Sequence, residues 1–75
     1  MTRELYYSPY CTACADPRRL DAESRDAVVW KDITEHLAEA VSLGIVQPPA
    51  LVIDGRVVAQ GRAALQQLAD LARPR

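Results

Sequence analysis

Cys11 and Cys14, the two cysteines of this sequence, are the residues whose type and spacing could do chemistry. In a helix they would lie one turn apart, where their sulfur atoms can close a disulfide. A Cys-x-x-Cys pair serves thiol–disulfide exchange, but the same pair also binds zinc, copper or an iron–sulfur cluster. In a third interpretation both cysteines are small buried apolar groups. The pair alone leaves these alternatives open, and the elements around it have to decide.

The cysteine pair follows a predicted strand and lies at the start of a predicted helix. The strand covers Glu4–Tyr7, which is aromatic and β-favouring, and Ser8-Pro9 ends it. The helix is predicted from Thr12 to about Ser24. Because Pro17 lies beyond the first turn, Asp16-Pro17 is an alternative start for a shorter second segment.

This placement gives the two cysteines different expected roles. Unpaired N–H groups and the positive end of the helix dipole stabilise an anion, which favours the thiolate of Cys11. Cys11 is therefore the predicted nucleophile and Cys14 the predicted resolving thiol. Tyr10 directly precedes Cys11 and is a candidate substrate contact; alternatively, it packs with Tyr6 and Tyr7 over a thin core.

The rest of the chain predicts three further strands and two further helices. Strand two contains Trp30 as a predicted core residue and is followed by a second helix. Asp54-Gly55 is a strong hairpin pattern between strands three and four. Pro74 ends the last helix. These elements are strand two over Ala27–Lys31, helix two between Asp32 and Gly44, strands three and four over Ala50–Ile53 and Arg56–Gln60, and a last helix over Arg62–Ala72.

Helix two has both a predicted start and a predicted apolar face. Asp32 stands three residues before Glu35, which is the spacing of a capping box, and Gly44 suits a left-handed C-cap. His36 is predicted to lie on the polar face without a catalytic role. The apolar positions at helical spacing are Ile33, Leu37, Ala40 and Val41.

The element order β-α-β-α-β-β-α predicts an α/β fold in one domain, residues 1–75. A right-handed crossover makes strands one and two parallel, and the hairpin adds an antiparallel pair. We therefore expect a four-stranded mixed sheet in the order 2-1-3-4 with helices on both faces.

Pro48 and Pro49 precede strand three, at a position where the missing N–H groups need not break a ladder bond. If their peptide bond is cis, a tight bend brings this loop beside the cysteine pair, and the backbone of residue 48 can pair with a substrate chain. In the alternative, a trans polyproline kink merely ends helix two. Pro48 and Pro49 are thus predicted substrate-binding residues.

Composition excludes several function classes. Nine basic and ten acidic residues give a net charge of −1 without a run of like charge, so neither nucleic acid nor an anionic membrane is an expected partner. No stretch approaches the roughly 20 apolar residues of a membrane span. The N-terminal residues lack the pattern of a signal peptide, and two cysteines are too few for a disulfide-dense secreted domain. The expected location is the cytoplasm.

Leu5-Tyr6-Tyr7-Ser8-Pro9-Tyr10-Cys11-x-x-Cys14 resembles the first strand and active site of glutaredoxins. The stretch 32–62, with Pro49-Ala50-Leu51-Val52-Ile53-Asp54-Gly55 at its centre, is similar to the small thioredoxin-like redox proteins of prokaryotes. The resemblance implies a thioredoxin fold, a cis Pro49, a nucleophilic Cys11, a resolving Cys14 and a redox-active disulfide between them. We expect no metal and no cofactor.

Two departures from the glutaredoxin pattern bear on the partner. Glutaredoxins usually have a lysine where Ser8 stands, and a Gly-Gly-x-Asp-type turn where Gln60-Gly61-Arg62 stands. Both features help to hold glutathione, so protein disulfides and a dithiol reductant are the expected partners of a monomeric oxidoreductase. Arg62 is the one residue that could restore a glutathione contact, because a guanidinium can bind a carboxylate with two hydrogen bonds.

Two other functions remain alternatives. A metal carrier of the copper-chaperone type also has Cys-x-x-Cys after its first strand, but its β-α-β-β-α-β fold ends in a strand, whereas this chain is predicted to end in a helix. In a redox-switched binding module, the disulfide between Cys11 and Cys14 would only alter a partner surface.

Overall fold

The structure is a computed structural model that describes residues 2–8 and 22–72. Its helices and strands follow the predicted order, and the last helix has the predicted bounds. They are β1 (Arg3–Tyr7), α1 (Ala22–Asp26), β2 (Val29–Asp32), α2 (Leu37–Leu43), β3 (Ala50–Ile53), β4 (Arg56–Gln60) and α3 (Arg62–Ala72).

The four strands form one mixed sheet in the order β2-β1-β3-β4, as predicted. β1 pairs with β2 in parallel, with Leu5 beside Trp30. β1 pairs with β3 antiparallel, with Leu5 opposite Leu51, and β3 pairs with β4 antiparallel. The small α/β domain and its mixed sheet are therefore confirmed.

Alternating side chains of the strands contribute to two separate cores, one on each face of the sheet. Leu5 points to the face covered by α3, and its neighbour Tyr6 points to the face covered by α2. The α3-side core contains Leu5, Val28, Leu51, Ala59, Ala64 and Leu68, and the α2-side core contains Tyr6, Ala40, Ala50 and Val52. Helices thus cover both faces, as predicted.

The hairpin between β3 and β4 turns at Asp54 and Gly55, whose φ angles are 52° and 79°. Positive φ at both central residues matches the right-handed twist of the flanking strands, which is why Asp-Gly is favoured there. Asp54 also holds the start of the chain, because its Oδ1 accepts a hydrogen bond from the Thr2 amide at 2.7 Å and its own amide donates to the Thr2 carbonyl at 2.9 Å.

The predicted capping box of helix two is wrong. Asp32 ends β2, and its Oδ1 accepts hydrogen bonds from the amide and hydroxyl of Thr34 at 2.9 and 2.6 Å. An aspartate that bonds the backbone two residues ahead forms a local turn in competition with a helix. α2 therefore begins only at Leu37, with His36 as an N-cap that makes no side-chain capping bond.

The predicted apolar face of helix two is also only partly correct. Ala40 is buried, but Leu37 is 60 % exposed and Val41 is 77 % exposed. Ile33 lies before the helix and packs against the α2-side core. α2 has seven residues, and Ala40 is the one whose side chain is buried. Its end is as predicted, because Gly44 is a left-handed C-cap with φ 78°.

The region between the cysteine pair and β2 departs from prediction at its described end. Of the helix predicted over Thr12–Ser24, residues 12–21 lie outside the described residues, and α1 continues to Asp26. β2 then begins two residues later than predicted. Trp30 is half-buried and packs against the α3-side core, and its indole N–H donates to the carbonyl of Arg25 at 2.7 Å. Among residues 2–8 and 22–72, no helix has the length and apolar character needed to cross a bilayer.

Candidate functional site

The carboxyl end of β1 and the beginning of β3 lie side by side. Tyr6 is opposite Ala50 in the antiparallel register, so the residues that precede β3 approach the end of β1. Chain connectivity makes this end of the sheet the starting point of the segment that bears the cysteines. Cys11, Cys14 and Tyr10 themselves lie outside the described residues.

Residues 46–49, which we call the proline loop, form the described half of the candidate site. The peptide bond between Pro48 and Pro49 is cis, as the family resemblance implies. Pro49 is buried and Pro48 is half-buried. The carbonyl of Pro49 accepts a hydrogen bond from the Gly61 amide at 2.7 Å, so the end of the loop is fixed to the end of β4.

Gln60, the last residue of β4, fixes the beginning of the proline loop. Its Oε1 accepts hydrogen bonds from the amides of Val46 and Gln47 at 2.9 and 3.0 Å. The next residue, Gly61, has φ 66°, and a Cβ on it would lie 3.3 Å from the side-chain nitrogen of Gln47. Glycine therefore suits this position on both backbone and packing grounds.

A charged cluster lies on the α2 side of the sheet; we call it the Lys31 cluster, and it consists of Glu4, Tyr6, Lys31, His36 and Glu39. The Lys31 ammonium is 2.7 Å from Oε2 of Glu4 and 3.0 Å from Oε2 of Glu39. The Tyr6 hydroxyl donates to the same oxygen of Glu39 at 2.9 Å, and Nδ1 of His36 lies 3.2 Å from its other oxygen.

These contacts shift the pKa values of three members of the Lys31 cluster. Hydrogen bonds from Lys31, Tyr6 and His36 lower the pKa of Glu39 to about 2. Hydrogen bonds to Glu4 and Glu39 raise the pKa of Lys31, and burial raises the pKa of Tyr6. At neutral pH the Glu39 carboxylate and the Lys31 ammonium are therefore charged, and the Tyr6 phenol is protonated.

The Lys31 cluster borders an open groove of about 420 Å³ lined also by Ala38, Ser42 and Leu43. Because the Lys31 ammonium already contacts two carboxylates, it is engaged in joining α2 to β1 and β2. This arrangement holds α2 in place against the sheet. Within residues 2–8 and 22–72, no three histidine, cysteine, aspartate or glutamate side chains could hold a metal ion.

Sequence reasoning missed Gln60 and the Lys31 cluster. Strand alternation places Glu4 and Tyr6 on one face, which was a usable indication that a partner of opposite charge would face them. The role of Gln60 had no comparable indication, because its hydrogen bonds join residues 13 and 14 positions apart across a loop.

Comparison of the chain with family models, with curated proteins and with solved structures produced no match.

Proposed function

We propose that this chain is a thiol–disulfide oxidoreductase with a thioredoxin fold, in which Cys11 and Cys14 exchange a disulfide with a protein substrate. The observation that carries the proposal is the register of β1 against β3, which sets the proline loop beside the strand end from which the cysteine segment departs.

The distances along the chain support this arrangement. Cys11 is three residues beyond Ser8. Three residues of extended chain span no more than about 11 Å. This limit keeps Cys11 within about 11 Å of Ser8. We propose that a substrate lying across the proline loop meets the Cys11 sulfur.

The topology favours this function over a metal carrier of the copper-chaperone type. That fold has the order β-α-β-β-α-β, whereas here β2 is followed by the helix α2 and the hairpin β3–β4 is followed by the helix α3. The order of elements and the sheet order β2-β1-β3-β4 are those that the resemblance to thioredoxin-like proteins implies.

The proposed reaction is a two-electron exchange in two steps. The Cys11 thiolate attacks one sulfur of the substrate disulfide, forms a mixed disulfide and releases the other substrate sulfur as a thiolate that takes a proton. Cys14, as its thiolate, then attacks the Cys11 sulfur and releases the second substrate thiol. The substrate has gained two electrons, and the chain has become the Cys11–Cys14 disulfide.

A dithiol reductant completes the cycle by the same two steps. One of its thiolates attacks the Cys11–Cys14 disulfide and forms a mixed disulfide, and its second thiolate then releases the reduced chain as the reductant becomes a disulfide. We place the reaction in the cytoplasm, where thiols are kept reduced. Ser8 and Gln60-Gly61-Arg62 depart from the groups that hold glutathione in glutaredoxins, so we expect poor turnover in a glutathione-coupled assay.

A redox titration of the cysteine pair against glutathione and dithiothreitol, with zinc content measured in parallel, tests the proposal. We expect a reversible two-electron transition and no stoichiometric zinc. Cys14→Ser should trap a mixed disulfide with a protein substrate, and its matched counterpart Cys11→Ser should trap none. Stoichiometric zinc without a reversible transition, or equal trapping by both variants, would contradict it.

A further inference from the structure

The helix α2 leaves two large apolar side chains exposed. Ala40 is its buried residue, whereas Leu37 is 60 % exposed and Val41 is 77 % exposed. Leu37 and Val41 are four residues apart, so their side chains lie one turn apart on the same face of the helix. The residues that follow them, Ala38 and Ser42, are also exposed. We call these four exposed positions, which carry no charge, the α2 strip.

The α2 strip borders the open groove of about 420 Å³, because Ala38 and Ser42 also line that groove. Glu4, Lys31 and Glu39 belong to the same lining. The Lys31 ammonium lies 2.7 Å from Oε2 of Glu4 and 3.0 Å from Oε2 of Glu39. Two carboxylates thus share one ammonium, which leaves the groove with an excess of negative charge. An apolar strip beside an acidic groove suits a ligand that is both apolar and cationic.

We propose that the α2 strip and this groove together bind a basic amphipathic helix of another protein, whose apolar residues cover Leu37 and Val41 and whose arginine enters the groove. Apolar residues one turn apart on the partner helix match the spacing of Leu37 and Val41. A guanidinium can bind a carboxylate with two hydrogen bonds and is less strongly hydrated than an ammonium, so arginine suits the groove better than lysine. This inference goes beyond the proposed disulfide exchange and does not use the cysteines.

A second copy of this chain would fit the same surface poorly. A twofold dimer sets identical patches against each other. Glu35, which is exposed in the turn before α2, and Glu39 would then approach the same carboxylates of the other copy, and like charges facing each other oppose association. A stable dimer also buries roughly 800 Å² and 20–30 residues on each copy. Since α2 has seven residues, the surface matches one short segment of a basic partner.

The direct test is fluorescence anisotropy of a labelled synthetic helical peptide titrated with the full chain. The peptide has two leucines four residues apart and one arginine a turn further on, and a matched peptide has citrulline, which is uncharged, in place of the arginine. We expect the citrulline peptide to bind roughly 1.5- to 5-fold more weakly, the range of an exposed ion pair, and the difference to shrink as salt is added. No binding, equal affinities at low salt, or self-association of the chain through α2 would each overturn the proposal.

Matched valine variants test the α2 strip. Val41→Ala truncates a side chain of the strip, and Val58→Ala makes the same change on β4, where the side chain is 44 % exposed. Val41→Ala should weaken binding of the arginine peptide roughly 4- to 15-fold, the value of one to two buried methyl groups, and Val58→Ala should leave it unchanged. Equal affinities of the two variants would show that the peptide does not lie on the α2 strip.

Lys31→Met tests the groove, because it removes the ammonium that competes with the peptide for Glu4 and Glu39. We expect the preference for the arginine peptide over the citrulline peptide to increase. The ratio of the two affinities is the readout, so a general loss caused by a loosened α2 cancels. An unchanged or smaller ratio would refute entry of the arginine into the groove.

A chain with Cys11→Ser and Cys14→Ser together keeps this inference apart from the redox proposal. We expect it to bind the arginine peptide with the affinity of the wild-type chain. Loss of binding in this variant would assign the peptide to the cysteine segment and overturn the docking site. Disulfide turnover, measured separately on the wild-type chain, decides the redox proposal whatever the peptide does.

Discussion

The two faces of the sheet are closed by helices that are held in different ways. On the α3 side, an eleven-residue helix buries Ala64 and Leu68 against a core made of aliphatic side chains. On the α2 side, a seven-residue helix buries Ala40 alone, and the Lys31 cluster adds ion pairs and a tyrosine hydrogen bond at its border. One helix is held by apolar burial and the other by a small core with polar contacts.

The difference matters because α2 leads directly into the proline loop. Gly44 ends α2, and Val46 and Gln47 follow within three residues. The position of the loop is set by directional contacts: the left-handed cap, the two bonds to Gln60 and the bond from Gly61 to Pro49. Directional contacts fix an orientation, whereas apolar burial mainly supplies stability. On the α2 side, which is nearest the candidate site, the contacts thus mainly fix the orientation of the proline loop.

The largest expected effect comes from the same truncation on the two helices. Leu68, 3 % exposed, packs in the α3-side core, and Leu37 is 60 % exposed on α2. Leu68→Ala should lower the free energy of unfolding by about 2–5 kcal/mol, from lost transfer free energy and the cavity left behind. Leu37→Ala should change it by no more than about 0.5 kcal/mol, as surface substitutions do.

Urea unfolding of the two variants at equal protein concentration measures this contrast. Because a domain of this size has a thin stability margin, Leu68→Ala is expected to move the midpoint strongly without changing the shape of a two-state transition. Similar losses for Leu68→Ala and Leu37→Ala would show that α2 is also held mainly by apolar burial.

The next effect concerns the end of α2. Gly44 has φ 78°, and a Cβ on it would meet no atom within 4 Å, so any loss on substitution arises from the backbone. Gly44→Ala should destabilise the chain by about 1–2 kcal/mol, the penalty of a left-handed non-glycine residue. Gly44→Asn should lose less, because asparagine tolerates this region. Thermal unfolding compares the two, and equal losses would contradict a backbone origin.

Strand and hairpin patterns in the sequence predicted the sheet correctly, because these patterns depend on local chemistry. Asp54-Gly55 demanded positive φ at both positions, and the continuous apolar run before it required a strand buried on both faces. The parallel pairing of β1 and β2 followed from the handedness of crossovers. The last helix was predicted from its apolar spacing, and its bounds were the same.

The predicted start of helix two was wrong because the same residues fit two different local motifs. Asp32 followed by Glu35 fits a capping box, but Thr34 offers both its amide and its hydroxyl to Asp32 two residues earlier. The shorter motif prevails here, since it closes before a helix can begin. In the candidate site, the cis Pro49 followed from family resemblance, whereas the contacts of Gln60 depend on tertiary register that no spacing in the sequence reveals.

The Tyr6 hydroxyl sharpens the comparison with a smaller effect. Tyr6 is 1 % exposed, and its hydroxyl donates to Glu39 at 2.9 Å. Tyr6→Phe should destabilise the chain by about 1 kcal/mol, because the ring stays packed and only the hydrogen bond is lost. A double-mutant cycle with Glu39→Ala isolates the pair, because alanine has no acceptor for the Tyr6 hydroxyl. Additive losses in that cycle would show that the contact between Tyr6 and Glu39 does not stabilise α2.

The smallest expected effect is the titration of Glu39, which reports directly on the polar attachment of α2. Hydrogen bonds from Lys31, Tyr6 and His36 lower the pKa of this carboxyl from an ordinary 4.5 to about 2. A carboxyl whose pKa is lower in the folded chain stabilises that chain above its unfolded pKa. The contribution of Glu39 should therefore be complete above pH 4.5 and decline as the pH falls toward 2.

Side-chain ¹³C NMR of Glu39 across that acidic range measures the shift. Lys31→Met removes the largest cause of the shift and should raise the Glu39 pKa toward its ordinary value. Arg56→Met, which removes an exposed cation at the hairpin end of β4, should leave it unchanged. Because half of the Glu39 side chain is exposed, water and salt screen the contact, and the effect on unfolding should shrink with ionic strength. An unaltered Glu39 pKa in Lys31→Met would mean that the contact between Lys31 and Glu39 does not help to attach α2 to the sheet.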